Sequence, residues 1–138
     1  METLMTSFSR DSQEGLGKAL VTFYPLAGRL SLDEDGRLEV DCNAEGALFS
    51  VASAHCTVEG FGDFRPSPAV RQLLVPSVTE AERSSILMLF QLTFFQCGGV
   101  SLGCALHHSL IDGLTALHFP SMHGRILPVA QISKFLLY

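Results

Sequence analysis

Charge is scarce in this sequence: Asp, Glu, Lys and Arg make up 17% of the 138 residues. The nine basic residues gather nowhere, and net charge is −5. That balance excludes the electrostatic footprint of a nucleic-acid binder or of a protein held on an anionic membrane. Long hydrophobic runs are missing too. The most apolar stretch, ILMLFQLTFF (residues 86–95), is interrupted by Gln91 and falls far short of the roughly 20 residues that span a bilayer. The amino-terminal METLMTSFSRDSQEG carries neither a basic start followed by an apolar run nor an arginine-rich amphipathic pattern, so no targeting segment is expected. Cys42, Cys56, Cys97 and Cys104 form no CxxC pair. They are expected to be reduced, mostly buried thiols of a cytoplasmic protein. No GxSxG is present, which removes the nucleophile elbow of a covalent serine mechanism.

What is present is a large apolar fraction, 47%, in a length that suits one domain with a substantial core. Leu16, Ala19, Leu20 and Phe23 recur at helical spacing and predict a helix over Ser12–Tyr24, ended by Pro25. RLSLDEDGRLEVDC is two short alternating runs around Asp33–Gly36, a hairpin pattern. ALFSVASA reads as a third strand. EGFGDFRPSPAV reads as a loop with a helical turn near Val70–Leu74. Ile86–Phe95 and Val100–Leu106, joined at Gly98–Gly99, read as a second hairpin. Asp112 or Ser109 caps a helix expected over Gly113–Phe119, which Pro120 stops. The tail SMHGRILPVAQISKFLLY shows no period. Strands with a few helices amount to an α/β layered unit.

The chemistry concentrates in CALHHSLIDGLTALHF, residues 104–119. Cys104, His107, His108, His118 and His123 can be drawn as a zinc set, but their spacing fits no finger pattern. An ordinary reading is a strand-end histidine that only bonds backbone in a loop. The catalytic reading rests on an imidazole whose pKa of about 6.5 lets it take and return a proton near neutrality. If the strand continues through both histidines, His107 and His108 point to opposite faces, so that one can face a cleft while the other is buried or packs elsewhere. Asp112 either orients an imidazole, as in a triad, or braces the loop through an arginine.

Taken with YPLAGRL (Tyr24–Leu30) and DCNAEG (Asp41–Gly46), the HHSLIDG heptad resembles the plant BAHD acyl-CoA-dependent acyltransferases. The likeness is closest to the hydroxycinnamoyl-CoA:shikimate/quinate hydroxycinnamoyltransferases, and it covers about Gly15 to Phe119. It implies a CoA-dependent acyltransferase-like amino-terminal domain, α/β, with a mixed β-sheet and flanking helices. It also implies that His108 is the general base, that Asp112 and Gly113 support the motif structurally, and that neither metal nor cofactor takes part. Acyl-CoA and a small hydroxylated acceptor are then the substrates, and the full-length enzyme is expected to be monomeric. YPLAGRL and DCNAEG are read as core and turn determinants.

The resemblance further implies a two-domain enzyme of which residues 1–119 form part of the first domain, with 120–138 a divergent tail. The DFGWG motif of the family's second domain does not occur in the sequence. In such a partial domain the faces of Ile86–Phe95 and Val100–Leu106 are expected to lack cover, with ISKFLLY the segment able to supply some.

Overall fold

The computed structural model describes residues 2–62, 65, 67–107, 109 and 133–137. It opens on a helix, α1 (Glu2–Thr22), ten residues earlier than the predicted start. The buried stripe Ser12, Gly15, Leu16 and Ala19 is extended backward by Phe8, one helical step before Ser12. Phe8 packs edge-on against Phe94 with ring centroids 6.1 Å apart. The polar residues that obscured this first half are absorbed locally: the Thr6, Ser9 and Ser12 hydroxyls donate to the carbonyls of Glu2, Thr6 and Phe8. Pro25 converts the chain to a 3-10 turn, Tyr24–Ala27, since it has no N–H to continue the helical ladder.

The first hairpin forms as predicted. Strands β1 (Arg29–Leu32) and β2 (Leu38–Asp41) pair antiparallel in a two-stranded sheet. The Asp33 carboxylate accepts from the N–H groups of Asp35 and Arg37, and Gly36 supplies a positive φ of 77°. The main sheet has four strands in the order β3 (Leu48–Ala54), β4 (Met88–Phe95), β5 (Val100–Leu106) and β6 (Ser133–Leu137). β3 runs parallel to β4, β4 antiparallel to β5, and β5 parallel to β6. The sheet is therefore mixed, as expected. The stretch without a visible period thus contains a strand, one whose pairing depends on β5 rather than on its own pattern.

Between β3 and β4 the chain makes three short helices: α2 (Val58–Phe61), α3 (Pro68–Leu74) and α4 (Glu80–Ser85). α3 realises the helical turn expected near Val70–Leu74, whereas α2 corrects the loop expectation, and each of the three helices carries its own amino-terminal cap. The side chains of Thr57, Ser67 and Thr79 accept from the N–H groups of Gly60, Val70 and Glu82. At α4, the Glu82 carboxylate returns the bond to Thr79, completing a capping box. The same bonds hold the exposed Glu82 carboxyl below its ordinary range. Thr79-x-x-Glu82 is the sequence signature of that box.

β4 is the spine of the core. Met88, Phe90 and Leu92, with Leu102, Cys104 and Leu106 of β5, pack with Leu16, Ala19 and Leu26. The alternate residues of β4 and β5 turn to the other face, where Leu89 and Ala105 pack with Ile86, and Phe95 with Val70 and Leu74 of α3. Almost every residue of β4 and β5 is buried. The expected lack of cover on these two strands is thereby overturned: α1 lies over one face and α3 over the other.

Gln91, the polar break in the apolar run, has a definite task. The last carbonyls of a helix have no partner within it. The Leu73 carbonyl of α3 accepts from Gln91 Nε2 and from Thr93 Oγ1 at 3.0 Å. Two polar residues on the α3 face of β4 thus dock the helix and fix its height above the sheet.

Candidate active site

The β4–β5 hairpin delivers the histidine pair. Its turn closes through the Phe95 N–H to the Gly99 carbonyl (2.8 Å) and the Gly98 N–H to the Phe95 carbonyl (3.0 Å), with Gly98 at φ 81°. From there β5 runs through the core to Leu106. The His107 N–H donates to the Leu87 carbonyl at 2.9 Å, carrying the backbone pairing one residue beyond the strand. His107 is buried, 8% exposed. Its Nδ1 accepts from the Ser109 N–H at 3.3 Å. The ring is therefore buried and engaged with local backbone. His108, Asp112 and Gly113 lie outside the described residues.

Of the drawn zinc set, only Cys104 and His107 are described. Cys104 is enclosed in the α1-side core, where burial pushes its thiol well above the ordinary cysteine range. A buried thiol of that kind resists the deprotonation that metal binding requires. Among the described residues, no group of three or more His, Cys, Asp or Glu is placed to hold a metal.

The cysteine expectation needs correction. Only Cys104 is buried; Cys42 and Cys97 are exposed and Cys56 is intermediate. Cys42 and Cys56 sit just beyond the ends of β2 and β3, and Cys97 occupies the β4–β5 turn. At such boundaries burial is not set by strand alternation.

The other two motifs meet each other. Arg29, from YPLAGRL, donates through Nη1 to the carbonyls of Gly28 (2.8 Å) and Gly46 (2.7 Å). Its Nε lies 3.0 Å from Glu45 Oε2, and the Gly46 N–H donates to the Ala27 carbonyl at 2.7 Å. DCNAEG is thus clasped onto YPLAGRL, and Arg29 also bridges by backbone to Ile86, ahead of β4. The motifs therefore do serve turn and core, through a guanidinium that spacing did not single out. Arg29→Leu is expected to cost about 1–3 kcal/mol, because two carbonyls lose their donor in a half-buried site. Glu45→Gln should stay within about 0.5 kcal/mol, since the carboxylate is solvent-exposed. Urea denaturation of the two variants checks this, and equal losses would show that the ion pair, not the carbonyl clasp, matters.

Comparison with known proteins places the chain. The model of the Transferase family matches residues 5–133. The chain belongs to this family, the BAHD acyltransferases. It is 53% identical over 104 residues to putrescine hydroxycinnamoyltransferase 1 of Oryza sativa subsp. japonica, covering 75% of this chain and 23% of the relative. It is 50% identical over 109 residues to shikimate O-hydroxycinnamoyltransferase of Nicotiana tabacum, covering 78% and 25%. The chain therefore spans about a quarter of the length of these curated relatives. Among solved structures, vinorine synthase aligns with a TM-score of 0.52 and 24% identity, over 69% of this chain and 23% of that one. At that identity the likeness concerns the fold, and it agrees with the mixed α/β architecture. Among the described residues, no helix is long and apolar enough to cross a membrane.

Proposed function

We propose that this chain carries the amino-terminal part of an acyl-CoA-dependent hydroxycinnamoyltransferase, with His108 as the general base. The observation that carries the reading is HHSLIDG at the end of a buried strand, within the span 5–133 that the family model matches. In this mechanism His108 takes the proton of the acceptor hydroxyl as its oxygen attacks the thioester carbonyl. The tetrahedral oxyanion collapses, the C–S bond breaks, and the proton passes to the departing CoA sulfur. A positioned base of this kind contributes roughly 10²–10⁴-fold. Asp112 braces the loop rather than relaying charge, and Gly113 allows the tight turn behind it. Soluble acyl-CoA and a hydroxylated acceptor such as shikimate or quinate are the substrates. The reading requires no metal or cofactor, places the enzyme in the cytoplasm, and makes the full-length form a monomer.

A second reading, a non-catalytic domain fragment, is favoured for the chain by itself by its coverage of only 23% and 25% of the two relatives. Positioning a thioester against a base supplies several kcal/mol of the barrier, and it requires walls on both sides of the reacting groups. Both readings are tested together. The 138-residue chain alone is expected to release no CoA from p-coumaroyl-CoA and shikimate. A chimera in which residues 15–119 replace the matching segment of the tobacco relative is expected to do so. A folded but inactive chimera would overturn the catalytic reading, and turnover by the chain alone would overturn the fragment reading.

A further inference from the structure

Two of the exposed or half-exposed thiols are neighbours in the fold. β3 and β4 run parallel with Ala54 beside Phe95 as their last pair. Two residues beyond the end of each strand stand Cys56, in a bend, and Cys97, in the β4–β5 turn. The strands stay together past the ladder: the Gln96 N–H donates to the Cys56 carbonyl at 3.1 Å, and the Val58 N–H points at the Cys97 sulfur at 3.5 Å. A disulfide spans roughly 4.4–6.8 Å between Cα atoms, and these two contacts hold the segments that carry Cys56 and Cys97 against each other.

We propose that Cys97 and Cys56 form a hydroperoxide-sensitive thiol pair, Cys97 the attacking sulfur and Cys56 the one that resolves it. The Cys97 thiolate attacks the peroxide, the O–O bond breaks, and a sulfenic acid forms as hydroxide leaves. The Cys56 thiol then displaces that hydroxyl as water, closing a disulfide between the end of β3 and the β4–β5 turn. Two thiols are oxidised and one peroxide is reduced to water, so atoms and electrons balance.

The division of roles follows from the surroundings. Cys97 is exposed, and it opens onto a concavity lined by Thr57, Val58, Glu59 and Gly98–Val100. The N–H groups of Val58 and Gly99 hold its thiol below the ordinary cysteine range, against the opposing charge of Glu59. Thiolate character and access together select the sulfur that oxidises first. Gly99 keeps this arrangement open, since a Cβ there would lie 2.6 Å from Val58 Cγ2. Cys56 is partly covered, packed against the cluster of Ala54, Val70, Leu74 and Phe95. That makes it the poorer target for peroxide and a near one for its neighbour. Cys104, with its thiol held protonated by burial, serves as the internal control.

The test treats the intact chain with hydrogen peroxide, alkylates remaining thiols, and digests without reduction using trypsin and a glutamate-specific protease. The expected product links the peptide 46–59 to the peptide 84–125, with fragmentation placing the bond at Cys97 rather than Cys104. It should disappear in Cys56→Ser, where Cys97 should instead accumulate as sulfinic acid. It should return to two free thiols on adding dithiothreitol. Peroxide treatment that leaves Cys97 oxidised and Cys56 alkylatable in the wild-type chain would overturn the pairing. Faster oxidation of Cys42 than of Cys97 would overturn the choice of attacking sulfur. Because the readout is made on the wild-type chain, it does not depend on a variant folding, and it is independent of acyl transfer.

Discussion

His108→Ala in the chimera is expected to lower acyl transfer by about 10²–10⁴-fold while leaving its thermal unfolding almost unchanged. His107→Ala should do the reverse. The two residues are chemically identical and adjacent, so only their placement separates them. His107 is buried, its N–H continues the pairing to Leu87, and its Nδ1 accepts from Ser109. Removing that ring leaves a void and a backbone donor without its acceptor, at a cost of about 1–3 kcal/mol. A proton-accepting role for His107 would also require its ring to give up this local engagement. Steady-state kinetics with p-coumaroyl-CoA and shikimate, run beside thermal melts, separate the two histidines. Equal, mild losses of rate in both variants would defeat the assignment of the base.

Legibility in the sequence followed the range of the forces involved. Alternation is a local property, and the Leu30/Val40 hairpin and the β4–β5 hairpin were both readable from it because each is closed by its own turn. β6 was not readable, since its partner lies some thirty residues earlier and its pairing is parallel. The α1 stripe was found from Leu16 onward but lost before Ser12. There the buried face is carried by Phe8, whose reason for burial is Phe94 on a distant strand. α4 leaves a clear local trace, the capping box of Thr79 and Glu82. At the site, the strand that leads into the histidine pair could be read, because it is one half of the β4–β5 hairpin. Arg29 could not, because a guanidinium that joins two loops has no periodicity. Gln91 reads as an interruption in the sequence, because the Leu73 carbonyl it bonds belongs to a helix that local pattern does not place above it.

Gly103→Ala should be among the most damaging single substitutions in this chain, although it adds one methyl group to a strand. Gly103 lies on the α3 face of β5, opposite Gln91. A Cβ built there would stand 1.8 Å from the Leu74 carbonyl oxygen and 2.7 Å from its carbon. Both are backbone atoms, so no side chain can swing aside to make room. α3 would have to withdraw by at least about 1 Å, an overpacking strain of the kind that costs 1–3 kcal/mol or more. Withdrawal also stretches the bonds from Gln91 and Thr93 to the Leu73 carbonyl, and it lifts Val70 and Leu74 out of their cluster with Phe95. The expected loss is therefore about 3 kcal/mol or more, a large share of the stability of a small domain. Gly17→Ala provides the control, because nothing lies within 4 Å of a Cβ on that exposed face of α1. Relieving a mid-helix glycine should stabilise by roughly 0.5–1 kcal/mol. The same chemical change thus carries opposite signs at the two positions. Urea denaturation of both variants measures them, and a Gly103→Ala midpoint within about 0.5 kcal/mol of the parent would show that α3 does not press on β5 at this point.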